Sequence, residues 1–311
     1  MLKVAVIGCG GIGRTHCNAW KTVEGAQLVA VVDRIEEKAK TAAADFGCKW
    51  YTSLDDLTGV DAVSVVTPPA AHYAVVKAAL NKGLHVFCEK PLTLDENEGK
   101  ELDALAKAKG LQLGVGFKMR FEPIFREAKK YLPQLGKLRT ITSTKVQPFN
   151  PRPEGAWVKA TGAMYELSIH DFDLITFLTG LKPQKVLYST VDHRFGWEKE
   201  DCYNIIADYG EGVTAQLTGL YAVKCTFCYR DLTFTFIGDN GYIRVERPDR
   251  IVVHTDHFEV VEVPSTNENA FALELTHFKN AIEGTEVNTL TAEDANTATW
   301  FINEAFRKGS H

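Results

Sequence analysis

Short, predominantly apolar runs alternate with longer amphipathic segments through the first third of the chain. Such runs are typical of parallel strands covered on both faces, and they occupy residues 3–7, 28–32, 62–66, 84–88 and 111–116. The segments between them predict helices, among them residues 35–46, 72–82 and 95–109. Strands that alternate with helices in this way predict a parallel sheet with helices on both faces.

The pattern changes after residue 118. Strand-like runs over residues 137–146, and several more between residues 185 and 263, are separated by turn residues and indicate a largely antiparallel, open sheet. Residues 147–162 are irregular and contain proline, which predicts a loop over a site. Helices are predicted over residues 120–131, 163–178, 269–283 and 291–308. The expected fold is α/β, with a second α+β domain over residues 119–311 whose terminal helix packs back on the first domain.

A glycine motif stands between the first strand and the first helix. Gly8, Gly10 and Gly13 form G-x-G-x-x-G, with Gly11 and Ile12 inside it. The first glycine permits a tight turn, the second lets a pyrophosphate approach the backbone, and the third lets the helix pack on the strand. The free N–H groups and the positive dipole end of the helix favour a phosphate at this turn.

A carboxylate follows the second strand. Asp33 lies twenty residues after Gly13, where it can accept a hydrogen bond from a ribose 2′-OH. The strand, glycine turn, helix and acid together predict a Rossmann dinucleotide-binding domain over residues 1–118. The Asp33 carboxylate would repel the 2′-phosphate of NADP(H), whereas the adjacent Arg34 favours it. We therefore predict that NAD is the preferred cofactor and keep NADP as the alternative.

Composition and charge exclude several classes of function. The 311 residues are enough for two hydrophobic cores, and the net charge of −5 favours neither nucleic acid nor an anionic membrane as a partner. No apolar run approaches the ~20 residues of a membrane helix. The first apolar run ends at Ile7, which is too short for a signal-peptide core.

The cysteine pattern predicts a reducing compartment. The seven cysteines are scattered without a disulfide framework, which fits the cytoplasm. Cys225 and Cys228 form C-x-x-C, but no second pair stands at zinc-ligand spacing. We interpret this spacing as chance and predict no metal site.

Three stretches together resemble the glucose–fructose oxidoreductase and inositol dehydrogenase family, known as Gfo/Idh/MocA. The first is the glycine motif, and the second is Glu89-Lys90-Pro91 at the end of a strand, with Thr67-Pro68 and His72 one unit earlier. The third is GAMYELSIHDFD over residues 162–173. Their order and spacing hold across nearly the whole chain, including residues 238–246, which resemble the family's turn-and-strand segment.

The resemblance implies an NAD(P)-dependent enzyme that oxidises a hydroxyl or reduces a carbonyl of a sugar, cyclitol or related polyol. It places Lys90 beside the nicotinamide and the substrate hydroxyl, and makes His170 the residue that exchanges the hydroxyl proton. Glu166 stands where the family commonly has Asp, and Asp173 matches an acid near the sugar. The segments at the cofactor contribute Thr67, Pro68, His72 and Glu89.

The chemistry of the residues agrees with these roles. Hydride transfer from an alcohol needs a base for the O–H proton and a cation that stabilises the developing alkoxide. Histidine side chains commonly exchange protons near neutral pH, so His170 suits the first role, whereas Lys90 suits the second. Glu166 and His170 are at i and i+4, so they share one helix face.

Each candidate has a structural alternative. Lys90 and Lys118 are also consistent with solvated lysines, His72 with a residue that only begins a helix, and His170 and Glu166 with helix residues that make local contacts. Trp157, in the predicted loop, either covers the substrate or anchors the loop. We count Lys118 and Trp157 among the candidate substrate-binding residues.

The leading interpretation is a sugar or polyol dehydrogenase. The alternatives are a reductase of another carbonyl, of dihydrodiol or biliverdin type, and a dinucleotide-binding redox sensor that does not turn over. The sensor needs neither Lys90 nor His170. We also predict a cis bond before Pro91, and a homodimer or homotetramer formed through the second sheet, whose open face its own helices leave uncovered.

Overall fold

The computed structural model describes residues 1–148, 156–222, 231–264, 266 and 268–309 of the chain. The chain divides into two compact units. The first comprises Met1–Lys118 and Asn267–Asn296, and the second comprises Met119–Thr266 and Thr297–His311. Residues 267–296 lie beyond the predicted first domain in sequence and contribute to the first unit in space.

The first unit is built on a parallel six-stranded sheet in the order β3-β2-β1-β4-β5-β6. Its central strands are buried on both faces, and all residues of β4 and β6 are buried, which explains why these runs lack polar alternation. The strands are β1 (Leu2–Ile7), β2 (Ala26–Val32), β3 (Lys49–Tyr51), β4 (Ala62–Val65), β5 (His85–Glu89) and β6 (Leu113–Gly116).

Several helix ends carry recognisable capping residues. The Asp95 side chain accepts the N–H of Asn97 and starts α4, whereas Gly47 ends α2 in the left-handed conformation that glycine adopts freely. The helices are α1 (Gly11–Trp20), α2 (Glu36–Phe46), α3 (His72–Asn81), α4 (Glu96–Ala108), α5 (Pro123–Tyr131), α6 (Ala156–Ala163), α7 (Ile169–Thr179), α8 (Ala270–Ile282) and α9 (Ala292–Gly309).

The strand order of the first sheet reverses at β1. The chain runs outward from β1 through β2 to β3, and then returns to the other side of β1 with β4. In parallel α/β sheets, ligands bind at the carboxyl ends of the strands where the order reverses. The segments that follow β1, β4 and the adjacent β5 therefore define the candidate site of this unit.

The second unit contains an eight-stranded sheet in the order β14-β13-β12-β11-β7-β10-β9-β8. Neighbouring strands are antiparallel except for β7 and β10, which are parallel. The predicted fold class is therefore confirmed. The strands are β7 (Leu138–Pro148), β8 (Lys185–Asp192), β9 (Cys202–Asp208), β10 (Thr214–Ala222), β11 (Asp231–Gly238), β12 (Gly241–Glu246), β13 (Arg250–His254) and β14 (Phe258–Glu262).

The segment predicted as one helix over residues 163–178 is interrupted. Helix α6 begins earlier, inside the predicted loop, and ends at Ala163. A single π-helical turn, Met164–Ser168, then leads into α7. Such turns occur frequently at functional sites. Within the described ranges, every helix is too short or too polar to span a bilayer.

Candidate active site

The glycine turn after β1 has the geometry of a phosphate cradle. Gly8 has a φ of +106°, and a Cβ on Gly13 would lie 1.8 Å from the Gly8 carbonyl oxygen, so both positions require glycine. A Cβ on Gly10 or Gly11 would meet nothing within 4 Å. Gly10 caps α1 without a side-chain acceptor, and Ile12 in the first turn is exposed. The N-terminus of α1 is therefore open to an anion.

Asp33 is fixed beside this turn. One carboxylate oxygen accepts the N–H of Cys9 at 2.8 Å, and the other accepts the N–H of Ile35 at 2.9 Å. The side chain is half-buried, and the following Arg34 is exposed. A carboxylate offers about four lone-pair positions, so two backbone contacts leave capacity for ribose hydroxyls.

His72 ties together two of the segments at the carboxyl edge of the sheet. It is 1% exposed, with Nδ1 2.7 Å from the Pro91 carbonyl oxygen and Nε2 2.7 Å from the Thr67 carbonyl oxygen. Burial lowers the pKa of His72, although both carbonyl contacts favour the protonated ring. The ring therefore holds the Thr67-Pro68 turn after β4 against the segment after β5. Its two nitrogens contact protein, and direct contact with a cofactor stays a prediction.

Lys90 leaves the end of β5 half-buried, and the predicted cis bond to Pro91 is confirmed. The preceding Glu89 accepts the Lys90 backbone N–H at 3.1 Å and lies 3.0 Å from Nε2 of His16. Although burial raises the pKa of Glu89, the contacts with His16 and Lys90 bring it below its ordinary value. Glu89 thus fixes the backbone that carries Lys90.

A second buried acid, Glu274 on α8, lies against these residues. We call His16, Glu89 and Glu274 the carboxyl cluster, because Nε2 of the histidine and one oxygen of each glutamate lie within 4.8 Å of one another. Sequence analysis missed His16 and Glu274. The available signal was helical periodicity, because each stands among the buried positions of its helix.

In the second unit, the candidate residues lie where the π turn meets α7. Glu166 is half-buried within the turn, and His170, two residues into α7, is 1% exposed. The i, i+4 relation predicted for them therefore spans a π turn rather than regular α-helix. The wider π turn therefore replaces the regular α-helical spacing that the sequence predicted between these two residues.

Glu200 holds the start of the π turn. Its carboxylate accepts the Met164 N–H at 2.8 Å, and its carbonyl oxygen accepts the Ala163 N–H, also at 2.8 Å. A Cβ on Gly162, whose φ is +85°, would lie 2.5 Å from both carboxylate oxygens. Burial raises the pKa of Glu200 to about 7. Sequence analysis missed this residue, which is distant from the π turn along the chain.

Two acids that follow His170 on α7 form buried ion pairs. Asp171 contacts Nζ of Lys145 on β7, and neither side chain is more than 1% exposed. Asp173 accepts hydrogen bonds from both Nε and Nη2 of Arg120. The structure thus gives the Asp173 carboxylate a protein partner, and its contact with substrate stays a prediction.

The remaining candidates differ in how far the structure describes them. Lys118 belongs to the first unit and is half-buried, with Nζ 4.6 Å from the centre of the Phe271 ring. The Trp157 side chain, Cys225 and Cys228 lie outside the described residues. The first unit therefore brings together the glycine turn, Asp33, Thr67-Pro68, His72 and Glu89-Lys90. The second brings together Glu166, His170 and Asp173.

Family models match both parts of the chain. Residues 2–117 match the oxidoreductase family model with an NAD-binding Rossmann fold, and residues 125–244 match the GFO/IDH/MocA C-terminal domain. Together the two models cover most of the chain, including all the candidate residues described above except Lys118 and Glu274.

Named relatives and a solved structure agree with these matches. UDP-N-acetylglucosamine 3-dehydrogenase of Acidithiobacillus ferrooxidans is 37% identical over 188 residues, which span 60% of this chain and 56% of that protein. scyllo-Inositol 2-dehydrogenase (NAD⁺) of Bacillus subtilis is 28% identical over 94% of this chain and 90% of its own. A solved structure of the Acidithiobacillus enzyme superimposes with a TM-score of 0.86 at 27% identity, covering 99% and 97% of the two chains.

Proposed function

Because the chain belongs to the Gfo/Idh/MocA family of NAD-binding oxidoreductases, as its motifs predicted, we propose that it transfers hydride between NAD and a hydroxyl or carbonyl of a sugar or cyclitol. The named relatives act on a nucleotide sugar and on inositol, which supports this substrate class. The observation that carries the proposal is the position of Lys90, at the carboxyl end of β5 and beside the point where the strand order reverses.

The first unit fits the cofactor. The open space over Gly10 and Gly11 accommodates a pyrophosphate, and the N-terminus of α1 favours its charge. Asp33, held by two backbone N–H groups, is placed to accept from ribose hydroxyls. Once bound, NAD supplies the two-electron hydride chemistry, and the protein's part is to orient and polarise the substrate.

We assign the proton chemistry to two side chains. His170 takes the substrate hydroxyl proton during oxidation and returns it during reduction, a role that suits an imidazole near neutral pH. Lys90 hydrogen-bonds the same oxygen and stabilises its negative charge. Glu166, one turn before His170, orients the imidazole or binds a neighbouring hydroxyl.

Further substrate contacts are assigned by position. We propose that Lys118, which follows β6 at the same edge of the sheet as Lys90, binds a substrate hydroxyl or phosphate. Trp157 remains a candidate for covering the substrate. Asp173 also remains a proposed substrate contact, and its carboxylate accepts hydrogen bonds from Arg120 as well.

To test the proposal, the protein is mixed with NAD⁺ and each member of a panel of polyols, inositols and nucleotide sugars. The formation of NADH is measured by its absorbance. Lys90→Ala and His170→Ala should each lower kcat by about 10²–10⁴-fold and retain NAD(H) affinity, because the glycine turn and Asp33 are unchanged. Lys49→Ala, at an exposed lysine on β3, is the matched control. Full activity of either active-site variant would refute the assignment.

Preference for NAD over NADP follows from Asp33. Its carboxylate repels a 2′-phosphate, and Asp33→Asn removes that charge while it keeps an acceptor oxygen. The ratio of kcat/KM for NADH to that for NADPH should therefore fall in this variant. A wild-type ratio that favours NADPH would contradict the proposal.

We propose that two or four chains associate through the second sheet. Exposed apolar side chains lie on four of its strands and include Leu187, Tyr188, Ile206, Ile237, Phe258 and Val260. Ile237 pairs with Thr140, and Phe258 pairs with His254, so the face continues across several strands. A second copy of the same face would cover it. A monomer in light scattering at micromolar concentration would exclude this interface.

A cytoplasmic location remains our proposal for the cellular compartment. All cysteines in the described ranges are free thiols, as a reducing compartment allows: Cys9, Cys17, Cys48, Cys88 and Cys202. Fractionation of the native host would test it.

A further inference from the structure

The carboxyl cluster is almost entirely buried inside the first unit. His16 comes from α1, Glu89 from the end of β5 and Glu274 from α8. The His16 and Glu274 side chains are fully buried, and that of Glu89 is 14% exposed. The His16 ring packs against Phe87 and Phe271, with ring centres 5.8 and 5.6 Å away. Two carboxyl groups in such a pocket cannot both be ionised at low cost.

The hydrogen bonds distinguish the two acids. Both oxygens of Glu89 meet donors, one from Nε2 of His16 at 3.0 Å and one from the Lys90 N–H at 3.1 Å. Neither oxygen of Glu274 has a partner among the residues that the structure describes. Donors stabilise the charged form of a carboxyl group, and their absence favours the neutral form. The negative charge therefore belongs on Glu89.

The charges around Glu274 agree with this assignment. Burial and the proximity of Glu89 raise the pKa of Glu274 well above its ordinary value, while the Lys118 ammonium opposes them. His16, the remaining titratable group of the cluster, has its Nε2 directed at Glu89. A neutral acid retains a proton that needs an acceptor, and the cluster offers the carboxylate of Glu89, one oxygen of which lies within 4.8 Å of an oxygen of Glu274.

We propose that Glu274 is held as a neutral carboxylic acid that directs its proton at Glu89, so that the pair carries one negative charge, and that Glu274 is thereby a positioning residue for Lys90. The route is short. Glu89 holds the backbone N–H of Lys90 directly, so a shift of the Glu89 carboxylate moves the base of the lysine side chain. The consequence for catalysis rests on the proposed function, whereas the protonation of Glu274 does not.

A divalent cation is the competing occupant of this pocket, because histidine and carboxylates are common metal ligands. A metal-bound imidazole almost always donates its second N–H to an acceptor. Nδ1 of His16 has no partner within the described part of the chain, which suits an unprotonated nitrogen and a ring that donates from Nε2 to Glu89. The hydrogen bonds of the carboxyl cluster thus fit protons held between its side chains better than a bound cation.

The experiment compares Glu274→Gln, Glu274→Leu and the exposed control Glu24→Gln. Infrared difference spectra at about pH 8, where Glu200 with its pKa of about 7 is largely ionised, should show a protonated-carboxyl C=O band. The band should be lost in both Glu274 variants and kept in the control. This readout needs no turnover, so it remains informative even where the proposed activity fails. An unchanged band, or its absence from the wild-type protein, overturns the proposal.

Kinetics then test the positioning role. A glutamine amide still donates to Glu89, whereas leucine does not, so Glu274→Leu should lose about 10- to 100-fold in kcat and Glu274→Gln less. The kcat–pH profile should be displaced in the leucine variant. Equal losses in both variants, or a near-stoichiometric metal in the purified wild-type protein, would refute the shared-proton arrangement.

Discussion

Glu200 should make the stability of the second unit depend on pH. The residue is 1% exposed, and its carboxyl group accepts the Met164 N–H that begins the π turn. Burial raises its pKa from 4.5 to about 7 in the folded protein. Glu200→Gln replaces the acid by an amide of nearly the same shape that still offers an oxygen to Met164. The substitution therefore removes the titration and keeps the hydrogen bond.

The sign and size of the effect follow from linkage. Between about pH 4.5 and 7 the folded chain holds the Glu200 proton more tightly than the unfolded chain, so the free energy of unfolding falls as the pH rises. The contribution is complete below about pH 4.5 and lost above about pH 7. Since each pKa unit corresponds to about 1.36 kcal/mol, the full difference is about 3 kcal/mol. Glu200→Gln should thus match the wild type at about pH 4.5 and exceed it by up to this amount at about pH 8.

The assay is denaturant unfolding over this pH range, combined with amide exchange of the segment around Met164. The exchange measurement reports on the local structure even where the two units unfold separately. Glu198→Gln is the matched control, because Glu198 lies two residues earlier and is exposed. Its pH dependence should follow the wild type. If the free energy of unfolding of Glu200→Gln has the same pH dependence as that of the wild type, titration of the Glu200 carboxyl does not affect stability and the prediction is wrong.

Three further substitutions test the geometry of the two sites. Gly13→Ala should abolish NAD(H) binding measured by fluorescence titration, because the new Cβ would lie 1.8 Å from the Gly8 carbonyl oxygen; retained affinity would contradict this. Asp173→Ala should lower the free energy of unfolding by about 3–5 kcal/mol, since it leaves the Arg120 charge buried; a loss below about 1 kcal/mol would contradict it. Gly162→Ala should cost about 1–3 kcal/mol for its positive φ alone, and unchanged thermal unfolding would exclude that strain.

Local sequence signals were sufficient for most of the fold. Parallel strands that are buried on both faces must be apolar along their length, so runs such as residues 62–66 can be recognised without any contact information. The glycine turn is similarly local, because its constraints act between Gly8 and Gly13 within one turn. The second sheet was predictable from its turns, although its parallel pair, β7 with β10, depends on distant pairing.

The parts that sequence did not predict depend on contacts between distant residues. The π turn begins where the Met164 N–H donates to the Glu200 carboxylate. Glu200 lies outside residues 163–178, so the helical periodicity of that segment carries no sign of it. The partner of Asp173 in its buried ion pair, Arg120, likewise lies far away in sequence. His16 and Glu274 interrupt apolar helix faces, and periodicity alone cannot tell such an interruption from a tolerated polar residue.

Each unit contains a buried acid that lies one step removed from a candidate catalytic residue. In the first, Glu274 lies against Glu89, which holds the Lys90 N–H. In the second, Glu200 holds the Met164 N–H at the start of the turn that leads to His170. A buried acid is costly when ionised and inexpensive when protonated. Both acids therefore link the position of a functional side chain to a proton.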